Sequence, residues 1–226
     1  MRHLRRSSAA VLVVLLMFCA YMGFGYWKKH TPEAALAHIA HAVVAEDSVT
    51  FDQYVDTDAV LAGLSEDAAA LLAENIDALH ARYPSDWFFR HDAAFMRDYM
   101  AARRAADIAF VRAALDYYFD SSRVPISRTD GTARWASDEM RAFAAAYSVT
   151  VGAVRTDGDR AYADVVLHGN DSTYGRLMPT VALMLELART ADGHWKLVRV
   201  RTAADEDGFF ALVDAAERYW ALQGWD

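Results

Sequence analysis

Apolar positions along this chain change their period near residue 147. Before that point they recur every three or four residues, as on one face of a helix. After it they alternate with polar residues, as in a strand with one buried face. Because the two patterns occur in separate blocks, we predict an α+β fold in which helices cover an antiparallel sheet.

The first block predicts a series of amphipathic helices. Residues 31–33, Thr-Pro-Glu, are typical of a helix start, because they supply a cap, a proline at the first helical position and an acid in the first turn. Further short helices are predicted from Ser48 and from Thr57 or Asp58. A separate helix is predicted over residues 65–82, where the next proline ends it.

The segment over residues 86–120 predicts one long helix or two stacked helices. Its apolar stripe thins at residues 101–106, where we predict a bend or a break. Proline, glycine and hydroxyl side chains then predict a loop over 121–136. A last short helix is predicted over 137–147.

The second block predicts a sheet of about four antiparallel strands over about 147–202. Turns are predicted where Gly158 and Gly193 interrupt the alternation. One face of such a sheet is apolar and needs a cover, which the preceding helices supply. A carboxyl-terminal helix is predicted over about 207–222.

Nineteen residues without a formal charge, 9–27, precede these blocks. As a helix they would match the thickness of a bilayer's hydrocarbon core, and aromatic residues stand at their outer end. Three arginines in front outweigh the two lysines behind, which predicts a cytoplasmic amino terminus. We therefore predict a single-pass anchor in the cytoplasmic membrane within residues 1–29 and an extracytoplasmic domain over residues 30–226.

Two other interpretations of residues 9–27 remain open. A cleaved signal peptide also has a basic start and an apolar centre, but its Ala-x-Ala spacing is missing here. A lipoprotein would be acylated at Cys19, which follows the bulky Phe18. We favour the uncleaved anchor over both.

Composition restricts the partners of residues 30–226. They hold 31 acidic and 18 basic residues, a formal net charge of −13. Such a surface repels nucleic acid and anionic bilayers, so neither is a predicted partner of the domain. Cys19 is the only cysteine and lies in the apolar segment, so we predict a domain that folds without a disulfide.

Two stretches of the chain carry a resemblance to a known family. After the Thr-Pro-Glu-Ala helix start, the first has E-D-S at 46–48 and F-D-Q-Y-V-D at 51–56. The second ends a hairpin with D-G-H-W-K-L-V-R-V at 192–200. The chain resembles the nuclear-transport-factor-two-like, or cystatin-like, cone fold, and more narrowly the bacterial membrane-anchored proteins of unknown function that carry such a domain.

The resemblance covers about residues 32–58 and 145–202. It implies a curved sheet wrapped around a helix, with a pocket at the wide end of the cone. Residues 66–136 are then a helical insert that the compact form of the fold does not need. The resemblance implies no single chemistry, since the cone serves isomerases, dehydratases, dimerisation modules and binding domains.

Histidine pairs are the candidates for metal binding or pH sensing. His38 and His41 share the first helix and Glu46 follows, but no second His/Cys cluster completes a ligand set. His80 and His91 flank the turn before the long helix and could meet across it. We interpret both pairs as ordinary polar residues and predict no metal site.

Residues that could act as an acid or a base also occur singly or in pairs. They are Asp164 and His168 on the second strand, Asp116 and Tyr117 on the long helix, and His194 beside Trp195. Asp164 has the strand parity opposite to the apolar side chains, so we predict that it faces solvent. No nucleophile or phosphate-loop motif accompanies these residues, and we predict no catalytic residue and no cofactor.

Aromatic residues cluster at both ends of the long predicted helix. They are Tyr83, Trp87, Phe88, Phe89, Phe95 and Tyr99 at its start, and Tyr117, Tyr118 and Phe119 near its end. If exposed, they would form a contact surface for lipid, peptide or glycan; if buried, they would fill the core of an alanine-rich protein. We favour the core.

These patterns favour a non-enzymatic binding or assembly module for a protein partner or a small apolar ligand. The leading alternative is a small-molecule enzyme, of the isomerase or hydro-lyase type, that uses the pocket of the cone. A third hypothesis is a homodimer formed through the sheet face. A cavity with two buried titratable side chains near Asp164, His168 or Asp116 would favour the enzyme, and a cavity lined by apolar side chains would favour binding.

Overall fold

The computed structural model describes residues 30–119 and 131–224, with seven α-helices and one four-stranded antiparallel sheet in these ranges. The elements are α1 (Pro32–Val44), α2 (Ser48–Tyr54), α3 (Thr57–Glu74), α4 (Ile76–Arg82), α5 (Ala93–Phe119), α6 (Gly131–Ala146), β1 (Tyr147–Asp157), β2 (Arg160–Gly169), β3 (Thr180–Arg189), β4 (Trp195–Arg201) and α7 (Phe209–Leu222). Two short 3-10 helices, Phe88–Arg90 and Gly175–Leu177, lie between them. The predicted α+β class and the four antiparallel strands are confirmed.

The predicted membrane anchor at residues 9–27 lies outside the described residues, as does most of the predicted loop over 121–136. Among the helices that are described, none combines the length and the apolar composition needed to cross a bilayer.

The sheet is a simple meander in the order β1-β2-β3-β4. The predicted turns occur between β1 and β2 and between β3 and β4, and their glycines have positive φ angles of 56° at Gly158 and 87° at Gly193. These angles favour glycine because a side chain would be strained there. The free edge of β4 pairs with Val55 in a short parallel bridge, and Asp56 N–H donates to the Leu197 carbonyl at 2.9 Å.

Aspartates, and not the predicted hydroxyl side chains, cap the second and third helices. Asp47 Oδ1 accepts from the backbone N–H of Val49 and Thr50 at 3.0 and 3.1 Å, so Ser48 is the first helical residue and not the cap. Asp56 Oδ1 accepts from Ala59 N–H at 3.0 Å and caps α3 in place of residue 57 or 58. A carboxylate at the cap satisfies free N–H groups and also complements the helix dipole.

Helix boundaries differ from the prediction at two further places. The predicted start of a new helix at residue 65 is wrong, because α3 continues through it to Glu74. The chain leaves the helical conformation at Asn75, whose side-chain amide donates to the Leu71 carbonyl at 2.8 Å. Side-chain bonds of this kind compete with the helical backbone.

The predicted break at residues 101–106 is also wrong, since α5 runs unbroken for 27 residues; the alternative of a bend stays a prediction. Alanine has the highest helix propensity, and an Arg103–Asp107 ion pair of 2.8 Å spans one turn of this stretch. The last helix before the sheet begins at Gly131, inside the predicted loop, and not at residue 137. Alanines 133 and 136 are buried and form the first part of its packed face.

A first hydrophobic core lies between the sheet and the helices. Alternate residues of the strands face it, and all of the following are buried: Ala161, Ala163, Val165, Leu167, Val181, Leu183, Leu185, Leu187, Leu197 and Val200. The helical side of this core consists of α1, α2, the beginning of α3, the end of α5, α6 and α7. The predicted cover of the apolar sheet face is therefore confirmed.

A second hydrophobic core is built from helical segments alone. It contains Leu72 and Ala73 of α3, Ile76 and Leu79 of α4, Phe88 and Phe89, Met96 and Met100 of α5, and Phe209 and Val213 of α7. Three of the helices, α3, α5 and α7, contribute residues to both cores. Residues near the middle of the chain thus pack against α7 and not against the sheet.

Arg141 of α6 holds the end of α5. Its Nη2 donates to the carbonyl groups of Tyr118 at 2.8 Å and Tyr117 at 3.3 Å, and its Nε donates to Glu46 Oε1 at 2.9 Å. The guanidinium also lies 5.1 Å from the centre of the Tyr118 ring. The hydrogen bond to Glu46 raises the pKa of Arg141. Arg141 thus satisfies carbonyl groups that the last turn of a helix leaves without partners.

We expect Arg141→Met to lower the free energy of unfolding by about 1–3 kcal/mol, because it leaves the half-buried carbonyl groups of α5 without a donor. Arg134→Met on the exposed face of the same helix is the matched control, with an expected loss below about 0.5 kcal/mol. Urea unfolding followed by circular dichroism measures both values. Equal losses in the two variants would contradict the role of Arg141.

Candidate functional site

A partly open cavity of about 100 Å³ lies where the two hydrophobic cores meet. Leu64, Val200 and Leu212 of the first core contribute to its wall, together with residues of the second core. Because the cavity is partly open, its wall can be reached from outside.

Helical periodicity explains which residues line the cavity. The lining residues of α3 are Leu64, Asp67, Ala68, Leu71 and Leu72, and those of α7 are Phe209, Leu212, Val213, Ala216, Glu217 and Trp220. Each set recurs every three or four residues, so it forms one face of its helix. Asp86, Phe88, Phe89, Met100 and residues 200–202 at the end of β4 complete the wall.

The wall separates into an apolar interior and a polar margin. Most apolar lining residues are buried, for example Phe89 at 4% and Trp220 at 3% exposure. The polar lining residues, Asp67, Asp86, Arg201, Thr202 and Glu217, are all partly or fully exposed. Since polar groups lie toward solvent and apolar groups away from it, the cavity is an apolar space with a charged rim.

Two ion pairs order the part of the rim that the sheet supplies. Arg199 Nε donates to Asp67 Oδ2 at 3.1 Å, and its Nη2 binds the other oxygen of the same carboxylate. Hydrogen bonds to Asp67 raise the pKa of Arg199. Arg201 Nη2 donates to Glu186 Oε2 at 3.2 Å, and Glu186 accepts a second bond from Arg160 at 2.8 Å. The first pair joins α3 to the edge strand β4, and the second joins β4 to β3.

A polar cluster joins α4 to α7 beside the cavity. Asp214 accepts hydrogen bonds from the Tyr83 hydroxyl and from Arg82, and Arg82 also binds Glu206 at 2.9 Å. Burial raises the pKa of the Tyr83 hydroxyl, and its bond to Asp214 raises it further. Because α4 and α7 both contribute to the second core, this cluster ties the two helices together beside the cavity.

None of the four candidate histidines lines this cavity. The ring of His38 stacks on Tyr54 at 4.6 Å, and His41 is exposed in the last turn of α1. His80 is exposed on α4, whereas His91 stacks on Phe95 at 3.8 Å. Within residues 30–119 and 131–224, no three His, Cys, Asp or Glu side chains are placed to hold a metal ion.

The predicted acid–base candidates are also dispersed. Asp164 forms a two-bond ion pair with Arg155, at 2.7 and 2.9 Å, on the outer face of the sheet, so the prediction that it faces solvent is confirmed. His168 is exposed at the end of the same strand, and Asp116 is exposed on α5. His194 Nδ1 lies 2.9 Å from Thr190 Oγ1 at the β3–β4 turn. None of these side chains lines the cavity.

The aromatic residues divide between core and surface. Phe88 and Phe89 are buried and line the cavity, and Tyr118 is buried in the first core, which agrees with the core interpretation. Trp87 differs, since it is 42% exposed and meets His91 and Phe95 edge-on at 4.7 and 6.1 Å. Trp87 therefore stands at the surface, and its neighbours in the chain, Asp86 and Phe88, line the cavity wall.

Sequence reasoning missed the cavity itself. The apolar positions of α7, including Phe209 and Trp220, predict a packed helix face and give no sign of a space beside it. The wall joins α3 and α7, which lie more than a hundred residues apart in the chain. No sequence motif links the two helices, so their faces are seen to meet only in the folded structure.

Comparisons with protein-family models, with characterised proteins and with solved structures give no match to this chain.

We expect Asp214→Ala to lower the free energy of unfolding by about 1–3 kcal/mol, because the Tyr83 hydroxyl and Arg82 lose their shared acceptor. Amide hydrogen exchange should speed up in the last turn of α4 relative to β3. Asp98→Ala on the exposed face of α5 is the control and should change neither value. Unchanged exchange in α4 with Asp214→Ala would show that the cluster does not hold this helix.

Proposed function

We propose that this chain is a binding module whose cavity receives an apolar group of another molecule. The observation that carries the proposal is the wall of the cavity, which is apolar inside and charged only at its rim. Water in an apolar space of this kind finds few hydrogen-bond partners, whereas an apolar group fits it. Filling it therefore supplies binding energy without breaking hydrogen bonds to water.

The size of the cavity limits what it receives. A volume of about 100 Å³ is of the same order as the roughly 150 Å³ of an engineered apolar cavity that takes up benzene, and well below the roughly 300–1,000 Å³ of sites for drug-sized ligands. It fits one apolar side chain, or the end of an alkyl chain, better than a complete cofactor. The opening leaves room for the remainder of the bound molecule outside.

Binding is favoured over the isomerase or hydro-lyase alternative by the position of the titratable side chains. A catalytic pocket needs an acid or a base that faces the reacting atoms. Asp164 and His168 lie on the outer sheet face, and Asp116 lies exposed on α5. Of the charged residues that reach the cavity, Asp67 pairs with Arg199 and Arg201 pairs with Glu186, while Asp86 accepts a hydrogen bond from Phe88 N–H.

We further propose that the domain is a cone-type domain, held at the outer face of the cytoplasmic membrane by residues 9–27. The cone-type fold is supported by the four-stranded meander with one face covered by helices and by the bridge of Val55 to β4. The membrane anchor is supported by the uncharged apolar segment with its basic flanks. On this proposal the helical insert supplies one wall of the binding cavity.

Benzene tests the proposed cavity directly, because a ligand that binds only the folded state raises its stability. We expect saturated benzene to raise the melting temperature of the full chain by about 2–4 °C, equivalent to about 1 kcal/mol. Ala216→Leu places a larger side chain in the cavity and should abolish this rise. Ala221→Leu adds the same side chain at an exposed position of the same helix and should retain it.

Melting without benzene shows whether each variant is folded. A full chain that does not respond to benzene would contradict the proposal, and so would an equal response of the two folded leucine variants.

A further inference from the structure

We propose that the molecule bound by the cavity is a cationic protein segment that inserts one apolar side chain; this inference rests on the proposed function of the cavity. The two chain segments 64–90 and 199–220 supply 17 of the 18 lining residues. They carry ten acidic and five basic residues. The surroundings of the cavity are therefore acidic, and they complement a partner of opposite charge.

The loop between β4 and α7 concentrates part of this charge. Asp205, Glu206 and Asp207 are all exposed, and they lie between Thr202 and Phe209 of the cavity wall. The loop has a fixed path: Phe209 N–H donates to the Ala203 carbonyl at 2.8 Å, and the Asp207 carbonyl accepts from Ala182 N–H of β3, also at 2.8 Å. The three carboxylates are thus presented beside the cavity by an ordered backbone.

Three of the arginines near the cavity are bound to carboxylates. Arg82 pairs with Asp214 and Glu206, Arg199 pairs with Asp67, and Arg201 pairs with Glu186. These pairs cancel much of the local positive charge. The remaining acidic residues, including Asp205 and Asp207, give the rim a negative potential.

Trp87 offers a second contact next to the cavity. It is 42% exposed, whereas its neighbours in the chain, Asp86 and Phe88, both line the wall. Tryptophan is enriched among residues that dominate binding energy, and its ring attracts Lys and Arg side chains. A basic residue next to the inserted side chain would therefore meet both Trp87 and the acidic rim.

A protein segment fits these observations better than a membrane surface does. The cavity has room for one side chain, which matches a single anchor residue in a peptide. An anionic bilayer would be repelled by the acidic residues around the cavity. We therefore commit to a peptide carrying Lys or Arg on both sides of a Leu, Phe or Trp anchor.

The test uses the full chain and fluorescently labelled peptides of 15 residues, followed by fluorescence anisotropy. Three peptides carry lysines and serines around one central anchor, which is Leu, Phe or Trp. Each has two control peptides, one with glutamate in place of lysine and one with serine in place of the anchor. We expect at least one lysine peptide to bind at least tenfold more tightly than both of its control peptides. Its binding should weaken as the salt concentration rises.

Two double variants separate the local rim from net charge. Asp205→Asn with Asp207→Asn removes two charges beside the cavity and should weaken binding about fivefold, which corresponds to about 1 kcal/mol. Asp157→Asn with Asp159→Asn removes the same charge at the β1–β2 turn and should leave the affinity within about twofold.

The partner proposal is overturned if no lysine peptide binds, if the glutamate peptides bind equally well, or if both double variants weaken binding equally. Stronger binding to vesicles of phosphatidylserine than to every peptide would overturn it in favour of a membrane. Stabilisation by benzene together with any of these results would refute the cationic partner and leave the cavity as a binding site. A missing response to benzene would refute the cavity itself.

Discussion

Burial of one apolar sheet face is the constraint on which the rest of this structure depends. Every second residue of β2 and β3 is apolar and buried, and none of these side chains tolerates water at low cost. Helices must therefore cover the inner face. The end of α5 serves this purpose through Val111 and Leu115, but its beginning extends into the second core with Met96 and Met100. A helix shared in this way requires a second cover.

The cavity follows from that division. α7 must pack on both cores, with Leu212 and Tyr219 turned to the first and Phe209 and Val213 turned to the second. α3 is divided in the same manner. Two helices that each serve two cores leave a space where the cores meet, and the ion pair Arg199–Asp67 and the Asp214 cluster keep its walls in place. Space and acidic rim together make this junction the most distinctive surface of the described chain.

Local pattern predicts much of this fold, and its failures have identifiable causes. Alternation in residues 160–169 predicts β2 because the polar and apolar side chains lie on opposite faces. Thinning of the apolar stripe at 101–106 misleads, because an alanine-rich helix needs no continuous core to persist. The wrong caps at Ser48 and Thr57 arise because a carboxylate stood one position earlier in each case.

The candidate site lay beyond such reasoning. An apolar helix face such as that of α7 has the same sequence pattern whether it contacts a neighbour or borders a space. Titratable residues drew attention in the sequence, but Asp164 and His194 serve ion pairs and turn hydrogen bonds. The proposed function depends on where packing is incomplete, and incomplete packing is a property of the assembled elements alone.

The most direct test of the central claim is methyl NMR of the full chain under xenon pressure, because xenon enters apolar cavities without needing hydrogen bonds. The account predicts shift changes that saturate with pressure at Leu71, Leu72 and Val213, with Leu185 and Leu187 of the sheet core unaffected. Changes of equal size at all five residues, or none at the cavity wall, would contradict it.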